Sequence, residues 1–136
     1  MSDSGEHSLP SPGAGPSRLG GSPYRAAHRL LAGRDPVAAL EIIDPALEEA
    51  PGDRGLRSLR AWAFLMRAQL ARAEQELTQL VADDPSDAWA RHALGRALER
   101  QSRAAEALPH LRLAEAMSGD AVHTAAVRRV EASLAR

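Results

Sequence analysis

The sequence predicts an all-α fold: helical hairpins stacked into a right-handed solenoid of three repeats, closed by a capping helix. Three observations predict it. The chain repeats every 34 residues: Ala39, Ala73 and Ala107 stand 34 apart, as do Ala27, Ala61 and Gly95, and Leu30, Phe64 and Leu98. A period of that length marks stacked supersecondary units rather than one closed core. The residues after the first 23 are rich in Ala, Leu, Arg and Glu and poor in the β-branched and aromatic types that build strands. Within each period the apolar residues recur at helical spacing in two runs divided by turn residues.

The elements follow in order. Fifteen of the first 23 residues are Ser, Pro or Gly, and only Leu9 and Leu19 are large aliphatics. Such a segment buries too little apolar surface to offset its ordering entropy, so residues 1–23 read as a flexible tail and residues 24–136 as the folded domain. The repeats span about Gly20–Asp53, Arg54–Asp87 and Ala88–Ala121. In the first, a helix over Tyr24–Ala32 stops at Gly33, and Asp35-Pro36 reads as an N-cap with proline at the first helical position of Pro36–Glu49. Pro51-Gly52 ends that helix. The second repeat pairs Leu56–Arg67 with Leu70–Asp83, ended by Pro85. The third pairs Ala88–Arg100 with Arg103–Met117, with Ser102 as N-cap and Gly119 as the stop. Pro45 and Pro109 fall inside second helices, where each removes an amide donor, so kinks or a late helix start are expected there.

A seventh helix is expected at about Ala121–Ala135, with Val122, Ala126, Val127, Val130 and Leu134 on one face. It has no partner after it, as suits an end cap that covers the last repeat. The 34-residue register slips here. Val127 and Val130 reach core-facing places only if the final turn is about two residues short.

Composition narrows the function classes. There is no cysteine, which removes disulfides, thiolate nucleophiles and Cys-based metal sites. All basic residues are Arg, and residues 24–136 carry as many Arg as Asp and Glu together, which argues against a general nucleic-acid binder. Arg128, Arg129 and Arg136 on the cap are interleaved with Glu131, a solvated face. The N-terminus lacks a charged-then-apolar leader and no apolar run is long enough to span a membrane, so a cytoplasmic protein without membrane contact is the expectation. None of His7, His28, His92, His110 and His123 has a partner at metal-ligand spacing, and the tail glycines precede no phosphate-loop helix. Ser102 and Ser118 suit turns rather than nucleophilic attack. No catalytic residue, cofactor or metal is therefore expected, and the chain does not read as an enzyme.

The repeat pattern resembles the tetratricopeptide repeat over about residues 20–121. Leu94-Gly95 matches that family's leucine-glycine pair, with Ala27 and Ala61 in place of the glycine. Ala39, Ala73 and Ala107 stand at its small place and Ile43, Leu77 and Leu111 at the large one after it. Ala46 and Ala114 match the later alanine, Pro51 and Pro85 the closing proline. Ala26 and Arg60 depart from the usual leucine, and Leu80 is larger than the pattern. The resemblance implies that first helices line a concave peptide-binding groove. Its places here hold Tyr24, His28 and Leu31; Ser58, Trp62, Leu65 and Met66; and Trp89, His92, Arg96, Glu99 and Arg100. Trp and Tyr offer apolar area with a polar tip, and Arg can clamp a carboxylate through two parallel bonds. Such a surface suits a peptide with an apolar anchor beside acidic groups. The competing reading packs Trp62 and Trp89 between repeats and leaves Arg96 and Arg100 as solvated charges. Some family members grip a partner's C-terminal carboxylate with Lys and Asn; this chain has neither, so that chaperone-tail clamp is not expected. The chain thus reads as an adaptor for a protein or peptide partner, or as a self-associating homo-oligomer docking through exposed Trp62, Leu65 and Met66.

Overall fold

The structure, a computed structural model, describes residues 22–136, so the tail expected over residues 1–23 lies almost wholly outside the described residues. Seven helices follow: α1 (Ser22–Ala32), α2 (Pro36–Glu49), α3 (Arg54–Met66), α4 (Leu70–Asp83), α5 (Ala88–Arg100), α6 (Ala104–Ser118) and α7 (Ala121–Leu134). No strand occurs among the described residues. Each helix packs on the next, and the first helices of successive hairpins also touch: α1 on α3, α3 on α5, and α5 on the cap α7. The second helices stand further apart. The array therefore curves, with α1, α3 and α5 on its inner side.

The periodic residues are the core. Ala27, Ala61, Ala39, Ala73 and Ala107 are fully buried, as are Ile43, Leu77 and Leu111. Gly95 shows why small residues recur in the first helices. A Cβ built there would lie 2.5 Å from Leu111 Cδ2 and 3.3 Å from the Ala107 carbonyl oxygen, so only hydrogen fits between α5 and α6.

The turn inside each hairpin repeats as strictly as the core. Arg34, Ala68 and Ser102, each 34 residues apart, have φ of 65°, 56° and 63°. The amides of Asp35, Gln69 and Arg103 donate to the carbonyls of Leu30, Phe64 and Leu98 at 2.8, 2.9 and 3.0 Å. Those of Arg34, Ala68 and Ser102 donate to Leu31, Leu65 and Glu99. This is the paired closure of a left-handed helix C-terminus, satisfying two orphan carbonyls each time. Ser102 is therefore not an N-cap. Arg103 holds that place, without a side-chain cap bond. Aspartates cap four other helices: Asp35, Asp53, Asp87 and Asp120 accept from the amides of Ala38, Leu56, Ala90 and Val122.

Three further expectations resolve here. α1 begins at Ser22 and α3 at Arg54, each two residues earlier than periodicity suggested. Neither Pro45 nor Pro109 interrupts its helix, because both are exposed and the carbonyl each deprives of a donor sits on a solvated face. The link between α6 and α7 is two residues, against four between α2 and α3, and this shortening buries Val127 and Val130. No described helix is long and apolar enough to cross a membrane.

Candidate functional site

The inner face is built by helical spacing. Tyr24 and His28 share one side of α1; Ser58, Trp62 and Met66 share one side of α3; Trp89, His92, Arg96 and Arg100 share one side of α5. Across α1 and α3 an aromatic run forms. Tyr24 stacks on His28 with centroids 5.9 Å apart, and His28 meets Trp62 edge-on at 5.6 Å. Tyr24, His28, Met66 and Arg100 are half-buried. Trp62 and Trp89 are only 5% and 6% exposed, and His92 and Arg96 are buried too. Leu31 and Leu65 are fully buried and belong to the core. The exposed Trp62 and Leu65 expected for a self-docking surface are thus packed away, because α1 and α5 flank α3 closely on this side.

Charge gathers at the α5–α7 end. Arg96 Nη1 donates to Glu99 at 2.6 Å, and Arg129 of the cap grips both Glu99 oxygens at 2.7 and 2.9 Å. Burial alone would raise the Glu99 carboxyl; the Arg129 bonds and the Arg96 charge outweigh it and hold it below the usual carboxylate range. Arg100 Nη1 donates to the Leu65 carbonyl at 3.0 Å, tying α5 to the end of α3. Beneath these groups His92 Nδ1 lies 3.0 Å from His123 Nδ1. Sequence spacing missed this contact, since it joins residues 31 apart on α5 and α7 and depends on the slipped register of the cap. Among the described residues no three His, Cys, Asp or Glu side chains converge as a metal site.

The face also holds polar atoms that the fold does not satisfy. Ser58 Oγ, Trp62 Nε1 and Trp89 Nε1 are buried and have no hydrogen-bond partner. Such atoms are rare in folded proteins, and each implies an acceptor still to be supplied. These three stand on the adjacent helices α3 and α5, each enclosed by the fold, and Gln69 Oε1, Arg91 Nε and Arg96 Nε are unsatisfied in the same way.

Residues 30–91 match the family model of the tetratricopeptide repeat, from the last turn of α1 through α2 and the second hairpin to the first turn of α5. The chain carries a match to this repeat over that stretch, a little under half of its length. Its fold is similar to the first tetratricopeptide repeat domain of human RPAP3, at TM-score 0.76 and 18% identity over 83% of this chain and 90% of that one. The corresponding domain of Arabidopsis OM64 gives 0.76 and 21%, over 82% and 93%. The first repeat domain of Spaghetti (RPAP3), solved bound to the HSP90 peptide SRMEEVD, gives 0.77 and 18%, over 84% and 94%. No curated protein matches the chain significantly.

Proposed function

We propose that this repeat protein is a non-catalytic interaction module that holds an extended peptide of another protein on the face made by α1, α3 and α5. The observation that carries the reading is the trio of buried, unsatisfied polar atoms on Ser58, Trp62 and Trp89. A peptide carbonyl meets one of these enclosed atoms only when the side chains covering it shift, and each donor so satisfied then recovers on the order of 1 kcal/mol. The aromatic run of Tyr24, His28 and Trp62 offers flat apolar area beside them. Arg96, Arg100 and Arg129 favour carboxylates on the ligand. A neighbour of the same fold carries an acidic peptide, which supports that mode of use. The chemistry differs in detail, because this chain has no Lys or Asn with which to build the carboxylate grip of some relatives.

The test is selection of binders from a displayed peptide library, followed by NMR of the two indole N–H resonances during titration. Selected peptides should shift both, and Trp62→Ala with Arg96→Ala should lose them. Peptides that bind equally well to that double variant would place the site elsewhere. A second reading, self-association, is favoured by the exposure of Leu113, Met117 and Leu134 on α6 and α7. Light scattering across concentrations decides it: a constant monomer mass excludes it.

A further inference from the structure

The outer side of the stack carries two clefts at the same place in successive repeats, and they are built differently. The cleft between α4 and α6 is lined by Glu74, Leu98, Arg103 and Glu106 among others and encloses about 280 Å³. The cleft between α2 and α4 is lined by residues 34 positions earlier, among them Leu40, Phe64 and Arg72, and encloses about 810 Å³. A recess of about 310 Å³ beside Gln75 and Gln79 adjoins it. The smaller cleft is bridged. Arg103 pairs with Glu74 on α4 and Glu106 on α6, both at 2.8 Å, and Gln101 also donates to Glu74 at 3.0 Å. The larger cleft holds Gln69, Leu40 and Arg72 in the same register, and these cannot make that bridge.

The charges on the walls of the larger cleft are left unanswered. α2 has four acidic side chains and no basic one. Glu41, Asp44 and Glu48 line the cleft at helical spacing, along about 10 Å of its edge. Among the described residues Glu41 and Glu48 have no side-chain partner, and Asp44 reaches Arg60 only at 4.0 Å. On the opposite wall Arg67 has no side-chain partner either, and Arg72 only covers the Phe64 ring, 4.9 Å from its centroid. Between the walls the floor is apolar, made by Leu40, Leu47 and Phe64, and Val37 stands 51% exposed at the rim. Such a trough fits a helix. A helix laid along it meets groups at i, i+3 and i+7 on both edges: Glu41, Asp44 and Glu48 on one, Arg72, Gln75 and Gln79 on the other. Arg67 and Arg72 lie at the end where α2 and α4 begin, which suits the carbonyl end of the incoming helix.

We propose that the α2–α4 cleft docks an amphipathic helix of a partner protein, with Arg or Lys along the flank that meets α2. The inner-face reading is not required for it. The test uses the full chain and a displayed library of helical peptides varied at their exposed positions. Selected helices should carry Arg or Lys at i, i+3 or i+4, and i+7 beside an apolar row, and added salt should weaken them. In NMR titrations they should move the amides of Val37, Glu41 and Glu48, leaving the indoles of Trp62 and Trp89 in place. Glu41→Arg with Glu48→Arg changes two side chains that bond to nothing in the fold, so the unfolding midpoint should hold while the selected helices bind on the order of tenfold more weakly. Acidic or neutral selected flanks, undiminished affinity for that double variant, shifts centred on α6 and α7, or no enrichment at all would each overturn the proposal. If the same amides move with protein concentration alone, and Arg25 and Arg29 of α1 move with them, the occupant is a second copy and the partner helix falls. Peptides that move the indoles while the cleft stays silent sink this proposal and leave the inner-face reading standing.

Discussion

Acidification should destabilise the stack through the contact between His92 and His123. Their Nδ1 atoms lie 3.0 Å apart, and the residues are 1% and 2% exposed. One Nδ1 carries hydrogen and the other accepts it, so a further proton would set two N–H groups head to head. Burial, then His123 and the guanidinium groups of Arg96 and Arg129, push His92 down from 6.5 to about 3, against the pull of Glu99. Burial lowers His123 as well, against Asp120 and Glu115. In the unfolded chain both return to the ordinary range. Between those values the unfolded state binds more protons than the native one. Stability is therefore complete above the unfolded pKa and falls as pH drops from there toward about 3.

At 1.36 kcal/mol per unit, His92 alone removes about 2 kcal/mol by about pH 5. His110, lowered by burial and by Arg91, adds in the same direction. Carboxylates contribute little in this window, because the ordinary range from which Asp84, Glu99 and Glu106 are lowered already lies below about pH 5, and their stabilisation is lost only as pH falls through it. Urea unfolding followed by far-UV circular dichroism should show the midpoint dropping by about 1–2 M between about pH 7.5 and about pH 5. His92→Gln should flatten that slope whatever its own starting stability. A midpoint that stays constant over the window, or an equal slope in His92→Gln, would refute the reasoning.

Three other perturbations test the scaffold by the same unfolding assay. Gly95→Ala places a methyl against fully buried Leu111 and should cost about 1–3 kcal/mol; a neutral result would mean that α5 and α6 do not approach this closely. Ala68→Gly relieves a left-handed residue at φ 56° and should stabilise by about 0.5–1 kcal/mol, whereas Gly in the middle of a helix does the reverse. Asp87→Ala loses both the cap bond to the Ala90 amide and the 2.8 Å pair with Arg54, and a loss of about 1–2 kcal/mol is expected; Asp87→Asn should keep most of the cap and lose chiefly the pair.

The frame of the fold was legible because its constraint is local and repeated. A small residue must face a large one wherever the two helices of a hairpin cross, as Gly95 faces Leu111, and the equally buried Ala61 and Leu77 repeat that spacing one unit earlier. The cap's slip was legible for the same reason, since Val127 and Val130 have only one way to reach the core. The hairpin turns were not. Left-handed helix ends usually advertise themselves with glycine, but here Arg34, Ala68 and Ser102 accept that conformation, and the bonds to Leu30, Phe64 and Leu98 carry the closure instead. Ser102 consequently looked like a cap when it is the residue before one.

Arg60 shows why side-chain chemistry is harder to read than spacing. At a place where the repeat pattern favours leucine, an arginine looks like a flaw in the second hairpin. The structure answers it with Glu76, buried on α4, which accepts from Arg60 at 2.6 and 2.9 Å and from Arg57 at 3.1 Å. Glu76 alone would be a costly buried charge; with the half-buried Arg57 and Arg60 it replaces apolar packing with a directional seam. The same register recurs one repeat on, where Arg91 approaches His110 to 3.5 Å and donates to the Pro85 carbonyl. Between repeats, Arg103 and Gln101 both reach Glu74 at 2.8 and 3.0 Å. These polar seams lie on the outer and lateral sides of the stack, so the inner face need not hold the hairpins together by itself. That division leaves the inner face able to keep Ser58, Trp62 and Trp89 with unanswered donors, a cost no scaffold residue relieves. The division is not complete, since Arg91 Nε in the lateral seam and Gln69 Oε1 in the second hairpin's turn are buried without partners as well. The deficit is therefore spread through the stack, and the inner face carries the larger share of it.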